Sequence, residues 1–311
     1  MVTIQNQNFG VEIELTGITR ADAAKIIAKH YGTNRVETGY DYYNSRYALD
    51  TKGRKWRCMS DASITCQIKN AYGGTSRADK SYSCEVVTPI LQYDDLNDLQ
   101  EIVRELRAAG AIANSSCGIH VHVDGANHTP ESLTRLLNFA VGRQDLFYEA
   151  LQIGDRANRW CHKVSRPLFK AMKKADDKDK AETERLWYSS LNDGYTGGID
   201  HQHYNATRYH GINLHAFFTK GTVEFRLFNG TTHAGKIKAY VQFCLAMSAW
   251  AINCENNNLY FKSVAGYTDE QKAAIMKRVL INRLGLAGPE YKTCRLHLTN
   301  VWNHTADTDA A

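Results

Sequence analysis

Apolar and polar residues alternate over three short stretches, Phe9–Leu15, Ile119–Asp124 and Thr222–Phe228. Successive side chains on a strand point to opposite faces, so a period of two predicts a strand with one apolar side and one polar side. In the first stretch Val11, Ile13 and Leu15 oppose Glu12 and Glu14. In the second, Ile119, Val121 and Val123 oppose His120, His122 and Asp124. In the third, Val223, Phe225 and Leu227 oppose Glu224 and Arg226. Ser83–Thr88 adds a fourth short strand, stopped by Pro89, with Glu85 opposite Val86 in facing.

Between these stretches the period lengthens to that of helices. Thr19 can N-cap a helix over Arg20–Tyr31, with Asp22 at its third position and Gly32 beyond its end. Leu96, Leu99, Ile102, Val103 and Leu106 form the stripe of a helix starting at about Asp94. Asp94 and Asp95 at its start and Arg104 and Arg107 near its end suit the helix dipole. Thr129-Pro130 opens a helix through about Ala150, Ala234–Cys254 reads as a buried helix, and Thr268 with Gln271 makes a capping box for Asp269–Leu284. Arg35–Arg57 reads as hairpins or loops, and Lys69–Lys80 as a loop. Gly211–Phe217 and Thr222–Phe228 read as a hairpin through Thr219-Lys220-Gly221. Lys170–Arg185 is highly charged and predicts a solvated helix or a lid; Asn192–His203 reads as a loop and Thr305–Ala311 as a disordered tail. No repeat or Pro-rich linker breaks the chain. It reads as a single α+β domain over residues 1–304, with an insert at about 155–205 as lid or substrate region and helices packed on one face of the sheet.

Composition changes this picture little. The 311 residues are 43% hydrophobic and 23% charged, an ordinary globular balance that supports a sizeable core. The net charge of +5 is spread without a basic block, which argues against nucleic acid as a partner. The N-terminus carries no basic and apolar leader, and the most apolar run, Ala239–Ile252, is too short to span a bilayer, so neither secretion nor membrane insertion is expected. None of the eight cysteines shows C-x-x-C spacing. Reduced thiols in a cytoplasmic chain are the expectation, and a zinc finger is excluded. Oligomeric state is not legible.

The polar faces carry the chemistry. If the strands share one sheet, several carboxylates, imidazoles and an arginine line one side of it. Such carboxylates repel one another unless a cation lies among them. Glutamates with an imidazole and open positions for water suit a hard divalent ion, Mg²⁺ or Mn²⁺, bound through a phosphate chain. Arg226 has the planar fork for phosphate or carboxylate. Taken singly, each strand has an ordinary explanation: the wet face of an edge strand, a chance H-x-H, or a surface ion pair worth at most about 1 kcal/mol. Their conjunction, each with clean apolar backing, points to a site. Cys117, beside the histidine strand, reads as a small packing residue.

Phe9-Gly10-Val11-Glu12-Ile13-Glu14, Ser83-Cys84-Glu85-Val86-Val87-Thr88-Pro89, Cys117-Gly118-Ile119-His120-Val121-His122-Val123 and Gly221-Thr222-Val223-Glu224-Phe225-Arg226 together resemble the amidoligase family. That family is similar to glutamine synthetase and glutamate–cysteine ligase, the carboxylate–amine ligases. Asp61-Ala62-Ser63 and Arg208-Tyr209-His210-Gly211-Ile212-Asn213 also match the family's order. The resemblance implies a curved antiparallel sheet forming a funnel-like active site, with helices on the outer face. It implies ATP-dependent ligation of a small-molecule or peptide carboxylate to an amine through an acyl phosphate. Glu12, Glu14, Glu85 and Glu224 would hold the ions and His120 would contact metal or phosphate. Arg226 would bind the transferred phosphoryl group or the acid, with His122 on the same face; Arg208 would contact phosphate, and Asp61 would position or deprotonate the amine. Two other readings stay open: a metal-dependent hydrolase using His120, His122 and a glutamate, and an inactive binding module on the same fold.

Overall fold

The computed structural model describes residues 1–174, 179–192, 198–255 and 263–303. The described chain groups into two compact units. The first holds residues 8–121 and 228–238; the second holds 1–7, 122–227 and the rest from 239 onward.

In the first unit the elements follow as β1 (Phe9–Leu15), α1 (Arg20–His30), β2 (Val36–Thr38), β3 (Arg46–Leu49), β4 (Lys55–Met59), β5 (Gln67–Lys69), β6 (Thr75–Arg77), β7 (Cys84–Val87), α2 (Leu96–Ala108) and the start of β8 (Gly118–Asp124). The strand order is β2-β3-β4-β7-β1-β8, with β5 and β6 as a separate hairpin. The registers of β2 with β3, β3 with β4, β4 with β7 and β7 with β1 are antiparallel. Helix α1 packs on β3, β4 and β7 and against α2. It buries Ala23, Ala24, Ile27 and Ala28 there, while α2 buries Leu96, Leu99, Ile102, Val103 and Leu106. Small alanines on α1 let the helix approach the sheet closely, and α2 packs against α1. The Thr19 side chain accepts from the Asp22 amide, as the N-cap pattern predicts. Lys69–Lys80 departs from expectation: it starts on the last residue of β5 and contains β6, the two joined by a turn in which the Asn70 Oδ1 accepts from the Tyr72 and Gly74 amides. A polar side chain closing a turn onto its own backbone is invisible to an apolar period.

In the second unit α3 (Pro130–Val141), α4 (Gln144–Ala150), α5 (Arg166–Lys174), α6 (Lys180–Trp187), β9 (Ile212–Asn213), α7 (His215–Lys220), β10 (Thr222–Asn229), α8 (Ala234–Asn253), α9 (Asp269–Arg278), α10 (Lys292–His297) and α11 (Asn300–Asn303) follow. β8 and β10 are shared by sequence between the units. The strand order here is β8-β10-β9, with β9 antiparallel to β10. The expected helix from Thr129 to Ala150 is two helices, because Gly142 caps α3 and Arg143 leaves helical geometry. The expected hairpin around Gly221 is also corrected. His215–Lys220 turns as helix α7, and Gly221, at φ 74°, closes it in the left-handed conformation that glycine adopts without penalty. Only Ile212 and Asn213 remain to pair with β10. The charged stretch Lys170–Arg185 belongs to α5 and α6, which bury Leu168, Met172, Leu186 and Trp187 beneath their charges; residues 175–178 lie outside the described set. Residues 193–197 of the expected loop and the expected tail also lie outside it. Thr268 and Gln271 do form the capping box, and a π-helical turn, Val279–Arg283, follows α9.

Antiparallel strands with helices packed on them make this an α+β chain. No helix among the described residues is long and apolar enough to cross a membrane.

Candidate functional site

In the first unit the two-residue period does what the sequence requires of it. Val11, Ile13, Leu15, Val86, Ile119 and Val121 are buried on the apolar side. The polar side is buried too: Glu14 is 5% exposed, Glu85 7% and His120 3%. The register of β1 with β7 sets Glu14 directly opposite Glu85. Side chains so placed have Cβ atoms about 5 Å apart, and like charges there destabilise the pair. Two carboxylates brought together in a dry place call for cationic or hydrogen-bonding compensation.

Part of that compensation is visible. Glu14 Oε2 accepts from the Gly118 amide at 2.6 Å. His120 Nδ1 lies 2.8 Å from Glu12 Oε2, and His120 Nε2 lies 3.8 Å from Glu14 Oε1. An ionised carboxylate only accepts, so Nδ1–H donates to Glu12, and Nε2 is turned toward Glu14. Asp61, on the connection after β4, joins from outside the ladder. Donor atoms of Glu12, Glu85 and His120 lie within 4.8 Å of one another, as do those of Glu14, Asp61 and Glu85. Glu85 belongs to both groups. The donor set is oxygen-rich with one imidazole, which fits a hard divalent ion such as Mg²⁺ or Mn²⁺ and does not fit a thiolate-seeking metal.

The second unit holds His122, Arg208, Glu224 and Arg226. β10 turns Glu224 and Arg226 to one face, and Arg226 Nη1 donates to Glu224 Oε1 at 2.5 Å. Asn213, the register partner of Glu224, donates from Nδ2 to Glu224 Oε2 at 2.7 Å. Its own Oδ1 accepts from the His215 amide at 2.8 Å. The Glu224 carboxylate is therefore fixed from both oxygens. The Arg226 guanidinium lies 6.0 Å from the Tyr209 ring, and Arg208 lies 5.6 Å from the same ring and 5.6 Å from that of Tyr204. Both cations are attracted by the quadrupole of this ring. Arg208 Nη1 donates to the His203 carbonyl. His122 Nδ1 meets Thr222 Oγ1 at 3.0 Å. His215 meets the Tyr188 hydroxyl at 2.6 Å. Burial, then the charge of Arg208 and of His201, push His215 down to about 4 against the pull of Glu224 and Asp200, so it is neutral at pH 7.

Of the residues expected from sequence, Glu12, Glu14, Asp61, Glu85 and His120 thus come together in the first unit. His122, Arg208, Glu224 and Arg226 stand in the second. Cys117 is buried, as a packing residue should be. Sequence reasoning missed Ser83, Tyr209 and Asn213 as supporting side chains. Asn213 ends the quoted 208–213 segment and Ser83 opens the β7 motif, so position beside a polar strand was the one signal available for both.

Comparison with family models gives a match over residues 5–248 to the family described as putative amidoligase enzyme. A search of the curated proteins returned no match.

Proposed function

Because the chain belongs to the putative amidoligase family, whose match spans most of its length and whose chemistry is ligase-type C–N bond formation, we propose that it joins a carboxylate to an amine at the expense of ATP. The observation that carries the cation-dependent part is the buried, directly opposed pair Glu14 and Glu85, with His120, Glu12 and Asp61 in reach.

In the first unit Glu12, Glu14 and Glu85 would hold Mg²⁺ or Mn²⁺, with His120 turned to metal or phosphate; in the second unit Glu224 would serve as an ion ligand. Bound there, the ions would neutralise charge developing on the transferred phosphoryl group. Asp61 shares its donor group with Glu14 and Glu85. We therefore assign it to the cation-holding set, in preference to the amine-handling role that the resemblance implies. Arg226, held by Glu224 and beside Tyr209, would bind the phosphoryl group or the substrate acid through its fork, with Arg208 as a second phosphate contact. His122, with Nδ1 engaged by Thr222, would present Nε2 to the same anion. In this scheme the substrate carboxylate attacks the γ-phosphoryl group, ADP leaves, and the amine then displaces phosphate from the acyl phosphate. The protein contributes positioning and preorganised charge and needs no cysteine nucleophile.

Substrates would be a small-molecule or peptide acid and an amine. ADP release from ATP and Mg²⁺ in the presence of pooled acids and amines, with mass analysis of any new amide, tests the reaction directly. Absence of ADP with every pool would count against it. Thermal melting separates a ligase from a metal-dependent hydrolase: ATP with Mg²⁺ should raise the melting temperature beyond either alone. A ligand at a hundred times its Kd stabilises by about 2.7 kcal/mol. Stabilisation by metal alone would favour the hydrolase. Glu224→Gln should abolish ATP turnover with the fold intact, and wild-type-like turnover would remove this strand from the site.

A further inference from the structure

Asp61 is the one member of the cation-holding set that no strand positions. It lies between Met59, where β4 ends, and Gln67, where β5 begins. Its backbone has one partner for both of its polar groups. The Asp61 amide donates to Ser83 Oγ at 3.0 Å, and the Ser83 hydroxyl donates back to the Asp61 carbonyl at 2.6 Å. A hydroxyl has one proton to give and lone pairs to accept with, so this single side chain satisfies the Asp61 backbone in both directions, while Asp61 Oδ1 accepts from the Ser63 amide and hydroxyl at 2.6 Å. Ser83 is 1% exposed and stands two residues before Glu85, at the entrance to β7. Its own carbonyl accepts from Arg20 Nη1 at 2.7 Å. The same guanidinium also takes the carbonyls of Lys80 and Ser81, and through Nε that of Asn44. The first turn of α1 thus fixes the 80–83 turn, and Ser83 transmits that fixity to Asp61.

We infer that Ser83 is a positioning residue for the cation site: through its hydroxyl it holds the Asp61 carboxylate against Glu14 and Glu85. The inference rests on the assignment of Asp61 to the cation-holding set. Residues that orient metal ligands from outside typically set about ten- to a hundredfold of metal affinity. A carboxylate on an unladdered connection has the most to lose from release of its backbone.

The test uses the full chain and Mn²⁺ alone as the probe, without nucleotide. Ser83→Ala should lower Mn²⁺ affinity at least tenfold in a calorimetric titration. It should also speed hydrogen exchange at the Asp61 amide while leaving the Val86 amide, inside β7, protected. Ser83→Thr keeps the hydroxyl and should restore both. Asp61→Asn should weaken Mn²⁺ to a similar degree, and adding Ser83→Ala to it should cost nothing further, because Ser83 acts through that carboxylate. Arg20→Met loosens the 80–83 turn without touching the hydroxyl and should shift both readouts in the same direction by less. Unchanged Mn²⁺ affinity in Ser83→Ala, or a full additional loss in the double variant, would overturn the role of Ser83 alone. A wild-type chain that binds no Mn²⁺ would overturn the cation-holding assignment itself, and this inference with it.

Discussion

At the scale of residues, the site is a problem in charge. Glu14 and Glu85 face each other across two strands in a buried place, and such a pair asks for a cation or for donors. The Gly118 amide supplies one donor, and His120 Nε2 lies 3.8 Å from Glu14 Oε1. Glu85→Gln keeps shape and removes one charge from both three-residue groups. Mn²⁺ titration should show at least a tenfold loss of affinity, with the circular dichroism spectrum unchanged; retention of affinity would mean that Glu85 is not a ligand. The carboxylates and imidazoles were legible in sequence because their spacing is the strand period itself. Ser83 and Asn213 were not, since what they do depends on Asp61 and Glu224, which are far from them along the chain and next to them in the fold.

Elements are held in place by polar clamps as much as by apolar stripes. Arg54, in the turn between β3 and β4, donates to Asp50 Oδ2 at 2.6 Å and forks onto both oxygens of Asp95 at 2.8 and 3.0 Å. Asp95 also closes the capping box with Gln92 ahead of α2, and Lys52 donates to its Oδ1. Burial raises the Asp95 carboxyl, but Arg54, the Gln92 amide and Lys52 outweigh it and hold the group below its ordinary range. A depressed carboxylate contributes stability above about pH 4, and that contribution is lost as pH falls through the folded-state value. Arg54→Met should therefore cost about 3 kcal/mol at pH 7 in a urea titration. The difference from wild type should narrow below about pH 4, as Asp95 takes up its proton; a constant difference would mean that packing, not charge, is lost. The errors of element reading come from backbone conformation at single residues. The helix after Thr129 breaks where Arg143 leaves helical geometry, and the hairpin before Thr222 became α7, which Gly221 closes in the left-handed conformation.

For the molecule as a whole, acid sensitivity has an identifiable seat. His128 bridges α3 and α8 in the second unit, with Nδ1 at 2.9 Å from Ser132 Oγ and Nε2 at 2.9 Å from Ser248 Oγ. Ser248 in turn donates to Gln7, whose amide donates to the Leu245 carbonyl. Burial and then the charge of Arg135 push His128 down to about 4, against a smaller pull from Asp124. A histidine lowered in the fold stabilises it fully above its unfolded value near pH 6.5, and this is lost as pH falls from there through the folded value. The amount is about 3 kcal/mol at most. His128→Gln cannot take up that proton, so between pH 7 and pH 4.5 it should lose less stability than wild type in urea unfolding. Parallel curves would place the acid sensitivity elsewhere.

The sequence by itself determined the strands that carry the site, the charged face of each, the caps of α1 and α9, and the family. All of these follow from neighbours within a few positions, where side-chain direction is dictated by backbone period. Tertiary structure decided what period cannot: that Glu14 stands opposite Glu85 rather than beside solvent, that Asp61 joins them, and that one serine hydroxyl and one asparagine amide hold the acidic groups still. Those facts depend on strand register and on a connection folding back across the chain. Register is set by the packing of whole faces, so no local pattern contains it.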